Sequence, residues 1–108
     1  MIRNTPIINL SEFYYIFSLF DQTSKMHALT LEETRRLATT AFADRSGDFW
    51  RSLPEGRKRV IAGNEDILGQ QFLEILTDVL LGTPVEDAVE QYEWEIVFDD
   101  QRARGIRT

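Results

Sequence analysis

The punctuation around residues 64–86 constrains this chain more than any other stretch. Asn64 precedes and Gly82 follows a segment in which Leu68, Phe72, Leu73, Ile75, Leu76, Val79 and Leu80 recur at helical spacing. At about 100° per residue these side chains cover a broad arc, with Gly69 inside it and Asp66, Gln70, Glu74, Thr77 and Asp78 opposite. So broad an apolar arc predicts a helix over 65–81 in the middle of a core, touching more than one neighbour. Asn64 is expected to cap its start and Gly82 its end. A glycine on the buried side admits a close-packed neighbour, which offsets its propensity cost of about 1 kcal/mol. Thr83-Pro84-Val85-Glu86 then carries the marks of a second helix start: a cap residue, proline at the first helical position, and glutamate completing a capping box. Val85, Ala88, Val89, Tyr92 and Ile96 form a narrower inward stripe, so this helix is expected to fold back on the first.

The same stretch is one-signed. Residues 65–101 contain eleven carboxylates and no Lys or Arg, while the remainder holds seven acids and all twelve bases. The net charge of −6 therefore divides into −11 there and +5 elsewhere. Segregation of this kind shapes association with partners rather than the fold itself. Glu86, Glu90 and Glu93 fall at i, i+4 and i+7 on one flank. Their mutual repulsion costs a few tenths of a kcal/mol per pair, with no base in the helix to relieve it.

Residues 92–98 read two ways. As helix, Trp94 and Phe98 stand one turn apart on the polar face, close to Asp87 and Glu90. As strand, the alternation of Tyr92, Trp94, Ile96 and Phe98 with Glu93 and Glu95 puts both aromatics in the core. A strand there needs a partner, and residues 5–9 are the plausible one within the chain.

Upstream, Asn9-Leu10-Ser11-Glu12 and Thr30-Leu31-Glu32-Glu33 are capping boxes. The first opens a helix that is apolar nearly all round (Phe13, Tyr14, Tyr15, Ile16, Phe17, Leu19, Phe20) and must be covered on most sides or lend a surface to a partner. The second predicts a helix from Leu31 to about Asp44 that stops before Gly47. A short piece over 48–53 brings Phe49 and Trp50 together, and Ser52-Leu53-Pro54-Glu55 is expected to cap a further short helix carrying Val60 and Ile61. The fold class expected is mostly α: an irregular bundle of about four main helices with one or two short ones, and a possible short strand over 92–98. Residues 1–101 are expected to form a single domain, with 102–108 expected as a flexible basic tail.

Several classes of chemistry lack their components. Zero cysteines remove disulfides and thiolate metal sites, and fit a reducing, cytoplasmic setting. His27, the single histidine, lies in a predicted loop with no carboxylate at a familiar ligand spacing. No calcium loop, phosphate-binding glycine loop or nucleophile elbow is present. No cofactor or metal is expected, and no catalytic residue is assigned. The apolar run over 13–20 is too short for a membrane span, which needs about 20 apolar residues. No leader is expected either, because a single base and no small-residue cleavage site precede that run. A pI near 4.7 argues against direct nucleic-acid binding. Arg57-Lys58-Arg59, the one basic run, reads as a solvated loop or the electrostatic counterpart of the acidic hairpin.

What remains is a non-enzymatic, acidic protein-binding module whose partner is a protein with a basic surface. The contact residues expected are Glu86, Asp87, Glu90, Glu93, Trp94, Glu95, Phe98, Asp99 and Asp100. An inhibitor that occupies a nucleic-acid-binding site, as small phage anti-defence or immunity proteins do, is the concrete form. The alternative is a structural or assembly subunit that docks or self-associates, for example as a homodimer, through residues 13–20.

Overall fold

Phe72, near the middle of the chain's central helix, is fully buried, with its ring 4.9 Å from that of Phe13 and 5.3 Å from that of Phe20. Around it the computed structural model describes residues 6–23 and 29–103, with side chains described over 6–20 and 29–96. Within these residues the order is α1 (Leu10–Thr23), α2 (Leu31–Ala43), α3 (Asp48–Ser52), α4 (Glu55–Ile61), α5 (Glu65–Leu80) and α6 (Val85–Ala103). Four longer helices and two short ones match the expected bundle.

The core follows the helical periodicity. Phe13, Ile16 and Phe20 of α1, Ala38 and Phe42 of α2, Leu68, Phe72, Ile75 and Leu76 of α5, and Ala88 and Val89 of α6 are buried together with Ile8 and Ile61. Full burial of each such large side chain stabilises by about 1.5–3 kcal/mol. Helix α5 is central, as its broad arc implied, with α2 as its principal neighbour. At Gly69 the reason is visible: a Cβ there would collide with Thr39 Oγ1 and lie 3.0 Å from the Thr39 backbone nitrogen. The arc is narrower at its C-terminal end than the sequence suggests, since Leu80 is exposed.

Both upstream capping boxes form. The Glu12 N–H donates to Asn9 Oδ1 at 2.9 Å while the Asn9 N–H donates to Glu12 Oε1 at 3.2 Å. Thr30 and Glu33 exchange the equivalent pair. At the end of α5, the Thr83 N–H reaches Asp78 O and the Gly82 N–H reaches Val79 O, both at 3.0 Å, with Gly82 at φ +110°. This is a Schellman closure, which needs a residue tolerant of positive φ at that place.

Three local expectations are corrected. Asn64 does not cap α5 with its side chain; its Nδ2 turns back and donates to Val60 O at 2.6 Å, serving the end of α4 instead. Ser52 lies inside α3 and donates to Phe49 O, so Pro54 precedes α4 without a side-chain cap. Residues 92–98 are helix throughout, so the strand alternative is overturned. The partner expected for such a strand is already engaged: within residues 6–9 the Ile8 N–H and the Pro6 and Ile7 carbonyls are bonded by side chains of Gln71 and Arg57. Helix α6 reaches Ala103, two residues into the segment read as a tail. Residues 104–108 and His27 lie outside the described residues.

Candidate functional site: a groove between the N-terminal strip and α6

The extended strip 6–9 lies over the core and is held there by side chains. Gln71, itself buried, accepts from the Ile8 N–H at 2.8 Å through Oε1 and donates to Pro6 O at 2.6 Å through Nε2. One side-chain amide thus bonds two backbone groups of the strip as a neighbouring strand would. Beside it Arg57 of α4 makes a two-pronged clamp on Glu12, Nε to Oε2 and Nη2 to Oε1, each at 2.6 Å, and its Nη2 also donates to Ile7 O at 2.7 Å. Glu12 is fully buried. A carboxylate in that position is tolerable only because Arg57 neutralises it and both oxygens are hydrogen-bonded.

Facing this strip is one flank of α6. The two enclose an open groove of about 730 Å³, lined by Ile7, Ile8, Asn9 and Leu10 on one wall and by Glu86, Val89, Glu90, Glu93 and Trp94 on the other. At one end the Tyr14 hydroxyl donates to Glu86 Oε1 at 2.9 Å, tying α1 to α6. Glu86 is held below the usual carboxylate range, first by a backbone N–H at its own position and then by that hydroxyl; the same contact pushes the Tyr14 phenol up. Trp94 is 64% exposed, and α6 being helical puts it on the polar face. It forms a ridge between the groove and a second hollow of about 210 Å³ lined by Asp87, Glu90, Gln91 and Trp94.

The contact residues expected from sequence separate accordingly. Glu86, Glu90, Glu93 and Trp94 share the groove, and Asp87 joins Glu90 and Trp94 in the adjoining hollow. Glu95 lines a different hollow, with Glu74, Thr77, Asp78 and Tyr92. In it the Tyr92 hydroxyl donates to Glu74 Oε2 at 2.9 Å, and partial burial, followed by that carboxylate, pushes the Tyr92 phenol far above its ordinary value. Phe98, Asp99 and Asp100 continue the helix, but their side chains lie outside the described ones.

Among the described residues, the ion pairs are Arg35 and Arg36 with Glu32, Arg45 with Glu65, Arg51 with Asp48, Arg57 with Glu12, and Lys58 with Glu55. None uses a carboxylate of α6. Arg57 and Lys58 therefore serve their own side of the molecule rather than acting as counterparts of the acidic hairpin. The strip and its clamps were not read from the sequence. The signal available was Glu12 itself, a charge at the start of a helix apolar nearly all round.

Comparison with protein-family models, with curated proteins and with solved structures finds no match in any of the three. Among the described residues no three His, Cys, Asp or Glu side chains are grouped so as to hold a metal ion, and no helix is long and apolar enough to cross a membrane.

Proposed function

We propose that this protein is a binding module that docks its α6 flank on a basic surface of another protein and, by doing so, competes with nucleic acid for that surface. The observation that carries this reading is the row of Glu86, Glu90 and Glu93 beside an exposed Trp94, without a basic partner among the described residues. Like charges along one helix flank repel one another at a small cost to the helix, and charges of one sign around an aromatic anchor suit encounter with a surface of the other sign. The rival reading, docking through α1, has less to stand on. Phe13, Ile16 and Phe20 are buried and Tyr15, Phe17 and Leu19 are packed against the core, which leaves Tyr14 as the exposed large side chain.

The test is the triple variant E86Q/E90Q/E93Q against a partner recovered from the native host. Expected is at least a tenfold loss of affinity at low salt, a flatter dependence on salt, and loss of competition with nucleic acid. Unchanged affinity across salt concentrations overturns the proposal.

A further inference from the structure

We infer that the groove recognises an arginine side chain of the partner, its guanidinium lying over the Trp94 ring and bonded to Glu90 or Glu93. This rests on the reading of the α6 flank as a docking surface and adds which basic residue that surface selects. Three observations point the same way.

The first is the shape and lining of the groove. Ile7, Ile8, Leu10 and Val89 give it apolar walls, while Glu86, Glu90 and Glu93 make one side acidic. An occupant must offer aliphatic surface and positive charge in one place. An arginine does this with a single side chain, because its methylene stem lies on apolar surface while its head group stays with the carboxylates.

The second is the position of Trp94. It is the exposed ridge shared by two hollows, both of which also contain Glu90. A planar cation stacked on that ring finds a carboxylate beside it whichever hollow the rest of the partner follows. Arginine fits this better than lysine, since its flat fork stacks on an aromatic face and bonds a carboxylate with two nitrogens, whereas ammonium is a compact and strongly hydrated point charge.

The third is that the fold already contains the same trio in a completed form. Arg45 places its guanidinium carbon 3.8 Å from the centre of the Trp50 ring while its Nη2 donates to Glu65 Oε2 at 2.6 Å. Trp94 with Glu90 and Glu93 offers the aromatic and the carboxylates of that arrangement, with no cation over the ring among the described residues.

The experiment uses the full chain and two capped octapeptides, one alternating arginine with leucine and one alternating lysine with leucine. Calorimetry gives the affinities, and the two indole N–H resonances, assigned with Trp94→Phe, report the location. Expected is a preference for the arginine peptide of about fivefold or more, a shift of the Trp94 resonance with that of Trp50 unmoved, and loss of the preference in Trp94→Ala. Equal affinity for the two peptides overturns the inference, as does a response at Trp50 alone. A concentration-dependent dimer abolished by Trp94→Ala also overturns it, by making a second copy the occupant. Failure here is separable from failure of the docking surface. If E86Q/E90Q/E93Q weakens both peptides alike and neither is preferred, the basic-surface reading stands and the arginine assignment falls. If the triple variant leaves both affinities unchanged, the basic-surface reading falls first.

Discussion

Glu12, beneath the strip wall of the groove, and Glu90, on the α6 wall across from it, are both helical carboxylates in opposite circumstances. Glu12 is fully buried and receives hydrogen bonds from the Asn9 backbone, the Asn9 side chain and two nitrogens of Arg57. Glu90 is exposed, in a row with Glu86 and Glu93, and meets no base among the described residues. Both tryptophans repeat the contrast, Trp50 lying under Arg45 and Trp94 standing 64% exposed. Charge on the first side is spent on holding the chain together. On the second, Glu86 holds Tyr14, while Glu90 and Glu93 meet no base among the described residues, which is why the α6 wall is the place to look for a partner.

Four variants press on this contrast, and their expected effects on stability fall in order. Arg57→Ala leaves Glu12 buried without its counter-ion and should cost about 3–5 kcal/mol in urea unfolding; a cost near zero would mean that the clamp is not structural. Gln71→Leu keeps the volume but leaves the Ile8 N–H and the Pro6 carbonyl without their partner, at about 1–3 kcal/mol. Tyr92→Phe is expected to matter through its pH dependence. Burial and Glu74 raise the phenol's pKa in the folded state, so Tyr92 contributes stability that is complete below the ordinary tyrosine value of about 10 and is lost as pH rises above it. The unfolding midpoint should therefore fall between about pH 9 and about pH 11, and fall less in Tyr92→Phe. The smallest effect belongs to E86Q/E90Q/E93Q, which should leave stability within about 0.5 kcal/mol of the parent or slightly above it. A large loss of stability in that variant would erase the distinction between the two walls.

Much of the fold was legible because the signals are local. Asn9 with Glu12, Thr30 with Glu33, and the Gly82 closure each act within about one helical turn, and the buried side of α5 with Gly69 follows from a period. What escaped is long-range and polar. Arg57 meets Glu12 across 45 positions, and Gln71 meets Ile8 across 63. No periodicity encodes such pairings, so Arg57 reads from sequence as one of three adjacent surface bases. The ambiguity at 92–98 had the same origin. Alternating aromatics suit a strand only if an edge is free, and the edge was already taken by side chains that the sequence does not bring together. Asn64 illustrates a smaller failure, a cap residue between two helices that serves the earlier one.

The hold of Gln71 on the strip gives the groove a reporter of its own. The Ile8 amide proton is sheltered by a side-chain oxygen rather than by a ladder of backbone bonds, so its exchange with solvent measures how often one wall of the groove lifts from the core. A ligand that grips both walls must slow that single proton, while one that touches only α6 leaves its clock unchanged.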